Sequence, residues 1–459
     1  MSERLPPMGP LDIGALSSEA MHALVTGRRW FAESAEPVTS VTPVVAATLR
    51  TSDPALALVI AEVRFANGQH DLYQLLLGEG SDEPDGVRLT DGLRVRDALD
   101  HPEVPLALVG LTIRDAEVAA GDGFVRFHPV PGNAPRPAIK ARPLGRDHSN
   151  SGVVADERLF IKVYRRLLAG PSPELELLRH LGDQDFAHVP ALAGWWAYEG
   201  SRIETTLGIL QDFLPDATDG FDAARASAGS GSTDPRFVES LGRLGTVTAA
   251  LHLALADDRN DASFAREELG PETISLMAAT LDERLSGFML EPSDTDLAMT
   301  VEALRSRLRG INHPRLPGWA IRIHGDFHLG QALLQGSEWF LVDFEGEPLR
   351  EPGERRRKRS PLRDVAGLLR SIDYAAATAS VIDGAPVHPD WAAQGREGFR
   401  SAYLLGMSGA EILPAGTGVV DELIFLFEVE KVLYELDYER AHRPGWVEIP
   451  LRGLRALAA

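Results

Sequence analysis

The chain contains no cysteine, which excludes a disulfide framework, a thiolate metal site and a cysteine nucleophile and makes a reducing cytoplasm its expected home. Long apolar runs are also missing. Nothing in the sequence approaches the ~20 residues that span a bilayer, so no membrane role is expected. The opening MSERLPPMGP has neither the basic start nor the apolar core of a secretory signal. Positive charge is in deficit, with 46 Lys and Arg against 67 Asp and Glu, a net −21. A field of that sign repels nucleic acid and anionic membranes, so neither is expected as a partner. A monomer acting on a small molecule is the simplest expectation, with a dimer compatible. Aromatics make up only 7% of residues, yet the 44% apolar content suffices for packed cores without staples. A chain of 459 residues calls for two or three subdomains.

What is present concentrates in Ile321 to Glu347, IRIHGDFHLGQALLQGSEWFLVDFEGE. Two apolar runs, Ala320 to Ile323 and Trp339 to Phe344, read as strands. Each delivers a carboxylate near its end, Asp326 and Asp343, and a Gly-Ser turn signal lies between them. Asp326 and Gln331 stand five positions apart, the separation of the aspartate and amide in a kinase catalytic loop. Asp343 heads a D-F-x-G-like turn in which Gly346 comes one place late. Phosphoryl transfer needs a base beside the attacking hydroxyl and hard oxygen ligands for magnesium. Asp326 suits the first role, and Gln331 and Asp343 suit the second. His324 and His328 form an i,i+4 pair, but the intervening GDF is not helical and no third ligand presents itself, which argues against a metallohydrolase.

Upstream, Met21 to Ala32 begins as a short helix in which Leu24, Val25, Trp30 and Phe31 are packing residues. Residues 43 to 78 read as strands about an Ala66-Asn67-Gly68-Gln69 hairpin. Helical pieces near Leu93 to Leu99 and Pro105 to Val109 follow, then strands around Gly123 to Val130. The Ser149-Asn150-Ser151-Gly152 turn can aim N–H groups and hydroxyls at phosphate, making Ser149 and Ser151 cofactor candidates. Lys162 lies on an apolar strand, where an ammonium needs an anionic partner. Glu174 or Glu176 of the next helix can supply it, and Glu176 is preferred. Another strand runs from Thr206 to Leu214. If the halves are kinase lobes, the backbone of Gln211, Asp212 and Phe213 meets an adenine edge, and SAGSGS at Ser227 to Ser232 lies at the lobe boundary.

Residues 235 to 256 are helical, with Leu241, Leu244, Val247, Leu251 and Leu255 on one face and a structural His252. Further helices are expected over Glu267–Leu290, Asp294–Arg309, Ser360–Ala377, Trp391–Leu405 and Glu422–Glu439, then an irregular RPGWVEIPLRGL tail. Arg355 to Arg359 reads as a solvated basic loop or as a local anion-steering group near the active-site mouth. Asp364 suits the positive end of its helix and can also order the catalytic loop. In EVEKVLYELDYE, Glu430, Tyr434, Glu435 and Tyr438 occupy helical spacing that suits a hydroxyl-rich ligand; His328 is a further substrate candidate.

Taken together, the chain resembles the maltokinase family, in the aminoglycoside-phosphotransferase-like branch of the protein-kinase fold. The passages that carry this are RRWFA, SNSGVV, RLFIKVYRR, LGILQDFLPDATDGF, IHGDFHLGQALL, LVDFEGEP, SPLRDVAGLLRSIDYAA and EKVLYELDYERAHRPGWVEIPL. The resemblance implies an α+β, bilobal, protein-kinase-like fold with an N-terminal cap. It places the cap at 1–90, a β-rich intermediate subdomain and kinase-like N-lobe at 91–214, and a mainly helical C-lobe at 215–459. It implies ATP and Mg2+, and conversion of maltose to maltose 1-phosphate for α-glucan synthesis. Carried onto this chain, Asp326 would be the base or orienting group and Lys162 would contact ATP phosphates. Gln331 and Asp343 would hold magnesium, and Gln211 to Phe213 would cradle adenine. Two departures stand out: Glu33-Ser34 where the family has a glycine and a basic residue, and SNSG where SNTS is commoner. Both spare the base and metal ligands and bear on the acceptor. The rival is a glucosamine kinase making glucosamine 6-phosphate, with Glu430, Glu435 or Asp437 pairing a substrate ammonium. A pseudokinase that binds without turnover is the non-enzymatic alternative; the presence of Lys162, Asp326, Gln331 and Asp343 argues against it.

Overall fold

The computed structural model describes residues 16–459 except 29, 32–35, 52–54, 80–85, 89–93, 146–149, 288–294, 312–317 and 348–351. The fold is α+β and divides into two units, Met1–Arg179 with Pro190–Pro215, and His180–Val189 with Asp216–Ala459. The Glu33-Ser34 departure and the expected phosphate contact Ser149 lie outside the described residues. No helix among those described is long and apolar enough to cross a membrane.

Among the described residues, the first unit holds two sheets. One runs β1 (Val38–Arg50), β2 (Leu56–Phe65), β3 (His70–Glu79), β5 (Arg94–Asp97), β4 (Val87–Arg88), with β11 (Arg166–Leu167) also beside β3. The hairpin at residues 66–69 forms as expected, joining β2 to β3. Alternation along β2 puts Ala57, Val59, Ala61 and Val63 into one core with Leu75 and Leu77 of β3. Helix α1 (Ser18–Val25) adds Met21, Leu24 and Val25 to that core, and Trp30 and Phe31 complete it. Residues 94–97 are a strand where a helical piece was expected. Val95 is fully buried in this short stretch, and pairing with Leu77 to Glu79 satisfies a backbone that four residues of helix could not.

The second sheet runs β6 (Glu117–Ala120), β7 (Gly123–Pro129), β12 (Leu192–Glu199), β13 (Glu204–Asp212), β10 (Leu159–Tyr164), β9 (Asn150–Ala155), β8 (Ala141–Pro143). Helix α2 (Glu103–Ile113) precedes it in sequence, and α3 (Pro173–Asp183) follows β11. Gln74 of β3 is wholly buried and ties the two sheets together, its amide donating to the carbonyls of Tyr164 at 2.9 Å and Leu207 at 2.7 Å.

The second unit is mainly helical. Its helices are α4 (Gly220–Ala228), α5 (Pro235–Leu255), α6 (Pro271–Ser286), α7 (Thr295–Gly310), α8 (Pro352–Arg355), α9 (Leu362–Val381), α10 (Trp391–Gly406), α11 (Thr417–His442) and α12 (Glu448–Ala458). The expected apolar face of α5 is buried throughout. Two small sheets accompany the helices: β14 (Thr218–Asp219), β17 (Ala332–Gln335) and β18 (Glu338–Leu341) in one, β15 (Glu267–Glu268) and β16 (Trp319–Ala320) in the other. The tail expected to be irregular is the helix α12, because Ile449, Pro450, Gly453 and Leu454 share one buried face. Pro450 is tolerated there because the first helical N–H groups have no internal acceptor.

Candidate active site

In the first unit, β10 carries Lys162 opposite Gly152 of β9 and Ile209 of β13. The surroundings are apolar, so the ammonium has to be compensated. Glu174 does so, with Oε2 2.7 Å from Lys162 Nζ, and it accepts a second hydrogen bond from Tyr164 Oη at 2.7 Å. Ser172 Oγ accepts from the Leu175 N–H at 3.0 Å, a cap that fixes Glu174 in the first turn of α3. The preference for Glu176 is thereby corrected. Two residues further on, Glu176 projects about 200° round the helix from Glu174.

Ser151 is turned inward. Its Oγ accepts from Arg165 Nε at 2.8 Å, and Arg165 in turn pairs with Asp97 at 2.6 Å and lies over the Trp30 ring. The hydroxyl expected to contact phosphate is thus engaged with Arg165. Gln211 is buried and donates to the Pro190 carbonyl at 3.1 Å; the N–H groups of Asp212 and Phe213 donate to Ala191 and Arg158 carbonyls, each at 2.9 Å. The Asp212 and Phe213 N–H groups are thus already engaged.

In the second unit the stretch around Asp326 is fixed from behind by one buried carboxylate. Asp364 of α9 accepts from the N–H groups of His324 at 2.8 Å and Gly325 at 3.0 Å, and lies 3.2 Å from His252 Nε2, whose Nδ1 meets Tyr403 Oη at 3.0 Å. Burial alone would raise the Asp364 carboxyl, but His252, His324 and the Gly325 N–H outweigh it and hold it below the ordinary carboxylate range. His324 Nε2 lies 3.0 Å from the Val342 carbonyl, so that nitrogen carries the hydrogen, and its ring packs on Phe327 and Phe344. Two small residues allow the close approach. A Cβ on Gly367 would sit 2.5 Å from the Phe327 carbonyl oxygen, and one on Gly325, where φ is +86°, would meet the Gly346 backbone at 3.4 Å.

This scaffold presents Asp326. Its Oδ1 is 3.0 Å from Lys431 Nζ of α11, and its Oδ2 is 3.9 Å from His328 Nε2. Burial pushes the Asp326 carboxyl up, but the Lys431 ammonium, foremost among the opposing groups, outweighs it and holds the carboxyl below its usual range. His328, lowered chiefly by burial, is neutral near pH 7 and accepts from the Gly330 N–H at 3.1 Å. Gln331 and Asp343 are brought together, Gln331 Nε2 donating to Asp343 Oδ2 at 3.0 Å. Asp343 adopts a left-handed backbone with φ +65°, a conformation Asp tolerates better than most residues. With the amide nitrogen turned to the carboxylate, the Gln331 carbonyl and Asp343 offer the neutral and anionic oxygens that magnesium takes.

A pocket beside Asp326 is lined by Glu347, Arg363, Phe427, Glu430, Lys431 and Tyr434. Of the proposed substrate residues, Glu430 and Tyr434 line it, and His328 adjoins Asp326. Glu430 also pairs with Arg363 at 2.5 Å. Glu435 instead pairs with the buried Arg370 at 3.0 Å, and Tyr438 stacks on His442 at the surface. Asp437 pairs with Arg284 at 2.8 Å. Lys431, Glu347 and Arg363 had no role in the sequence reading. A usable signal existed for Lys431: only four of the 46 basic residues are lysines, at 140, 162, 358 and 431.

A family profile described as the maltokinase N-terminal cap domain matches residues 25–91. A glucosamine kinase of Mycolicibacterium smegmatis is 30% identical over 328 residues, covering 69% of this chain and 79% of that protein. A glucosamine kinase of Streptacidiphilus jiangxiensis is 28% identical over 326 residues, covering 66% and 70%. Among solved structures, a glucosamine kinase in complex with glucosamine, ADP and inorganic phosphate superposes with a TM-score of 0.66 at 21% identity, covering 95% of this chain and 98% of that one. A second crystal structure of a glucosamine kinase gives 0.68 at 22% identity, covering 98% and 99%.

Proposed function

The chain belongs to the glucosamine-kinase family of carbohydrate kinases, with an aminoglycoside-phosphotransferase-like fold and a maltokinase-type N-terminal cap, and on that premise we propose that it transfers the γ-phosphoryl group of ATP to a sugar hydroxyl oriented by Asp326. The observation that carries the reading is the pair of loops in the second unit: Asp326 held 3.0 Å from Lys431 Nζ, and Gln331 hydrogen-bonded to Asp343 at 3.0 Å. In this scheme Asp326 accepts the hydrogen bond of the attacking hydroxyl and takes its proton as the new P–O bond forms and the bond to ADP breaks. A depressed carboxyl is a weak base, so its main work is orientation, as a loose phosphoryl-transfer transition state allows. Lys162, held by Glu174, contacts the nucleotide phosphates. Gln331 and Asp343 would hold Mg2+, which supplies charge neutralisation at the phosphates when bound.

The acceptor we propose first is maltose, giving maltose 1-phosphate; the family resemblance in the cap and along α11 supports it. Glucosamine, giving glucosamine 6-phosphate, is the second reading, favoured by the names of the relatives. The test is ATP- and magnesium-dependent phosphorylation of maltose, glucosamine and glucose side by side, with Asp326→Asn as the control. That variant should retain ATP binding and lose about 100- to 10,000-fold in turnover. Near-normal phosphorylation by it would sink the assignment.

A further inference from the structure

We propose that Lys431 is a resident cation of the acceptor pocket: it takes the place a substrate ammonium would occupy beside Asp326, and so restricts the reacting hydroxyl to one whose neighbouring substituent is neutral. The inference rests on the kinase reading and deepens it by naming the acceptor class.

Lys431 Nζ lies 3.0 Å from Asp326 Oδ1 and 3.7 Å from Glu347 Oε1, and 5.0 Å from the centroid of the Tyr434 ring. One ammonium therefore already sits between the two carboxylates nearest the reacting position. The other acids of the wall are engaged: Glu430 by Arg363 at 2.5 Å, and Asp364 by the His324 and Gly325 N–H groups. Beyond Asp326 and Glu347, the ionisable groups facing Lys431 are Glu435, itself paired with Arg370, and Tyr434; His328 faces the far oxygen of Asp326. An acceptor hydroxyl has to touch the same carboxylate that Lys431 touches. An ammonium on the carbon next to that hydroxyl is then forced close to Nζ, where two like charges with little water between them repel strongly. Without Lys431, Asp326 and Glu347 would form a two-carboxylate site that attracts such an ammonium. A hydroxyl remote from the amine, as the 6-hydroxyl of glucosamine is, escapes the conflict.

The full-length protein with ATP and magnesium is offered glucose and maltose, which are neutral, glucosamine, and N-acetylglucosamine as its uncharged counterpart. The kcat/KM of each and the position of the phosphate, read by phosphorus NMR, are compared for wild type, Lys431→Gln and Lys431→Arg. Lys431→Gln should raise phosphorylation of glucosamine beside its amine, relative to glucose, by about tenfold or more, Lys431→Arg should keep it near wild type, and phosphorylation at the remote 6-hydroxyl should be unmoved. In wild type, any phosphorylation of glucosamine next to its amine should increase as the pH rises and the amine loses its proton, with glucose serving as the pH control. No gain in phosphorylation beside the amine in Lys431→Gln, or phosphate placed beside the charged amine at neutral pH by wild type, overturns the proposal. If Lys431→Gln does not fold, the wild-type phosphate position and pH comparison decide alone. Turnover of some sugar with no such discrimination sinks the charge filter and spares the kinase reading; absence of turnover with every sugar sinks both.

Discussion

Replacing Asp364 by Asn tests how much of the second unit hangs on one side chain. Its two oxygens accept the His324 and Gly325 N–H groups at 2.8 and 3.0 Å, and His252 Nε2 stands at 3.2 Å. Asparagine keeps one acceptor but aims an amide N–H₂ at a group that also donates. A hydrogen bond to a charged group is worth about 1.5–3 kcal/mol and an unmet buried donor costs about 1–3 kcal/mol. The expected loss is therefore roughly 3–5 kcal/mol, a large share of the about 5–15 kcal/mol that a domain commonly has. Urea unfolding followed by tryptophan fluorescence reads it, since the buried Trp339 and Trp391 report on this unit. The sign with pH is fixed by the depressed carboxyl: its contribution is full above the ordinary carboxylate range and fades as pH falls through the lower, folded value. The gap between wild type and variant should hold steady from neutral to mildly acidic pH and narrow only in stronger acid. A gap below about 1 kcal/mol at neutral pH, the size of an average substitution, would refute the reasoning.

Gly367→Ala places a Cβ 2.5 Å from the Phe327 carbonyl, so either α9 or the segment carrying Asp326 has to shift. The expected result is a fall in kcat of about tenfold or more with KM for ATP little changed, because small misplacements near the chemistry are costly; unaltered turnover would show that the contact is slack. Lys162→Met leaves Glu174 buried opposite an apolar side chain and should destabilise the first unit by about 3–5 kcal/mol, while adding Glu174→Gln should restore much of that loss. Equal stability of the single and double variants, measured by urea unfolding, would count against the pair as a buried charge couple.

Legibility of the sequence followed the length and regularity of each element. The 66–69 hairpin and the long amphipathic α5 announce themselves, since local turn chemistry and a repeated apolar face leave little choice. The four-residue β5 does not, because its strand character comes from pairing with β3. Helix α12 was masked by the Arg443-Pro444-Gly445 break and by Pro450. At the site, the loops around Asp326 and Asp343 were readable from spacing. Lys431 was hidden because its partner Asp326 is 105 residues away, and because a lone lysine in an acidic helix looks like part of a solvated face. Choosing Glu174 over Glu176 needed the Ser172 cap, a side-chain to backbone bond that sets the helix phase.

The scarcity of lysine has a practical side. Lys140 is exposed and Lys358 sits on Glu267, while Lys162 and Lys431 are each clamped by carboxylates in different units. Isotope-labelled methyl groups placed on the amines would give a spectrum sparse enough to assign by single substitutions. Two of its resonances would then watch the two halves of the chain separately, and under the proposed function one should respond as nucleotide is titrated in and the other as sugar is, in a protein whose residues are all still in place.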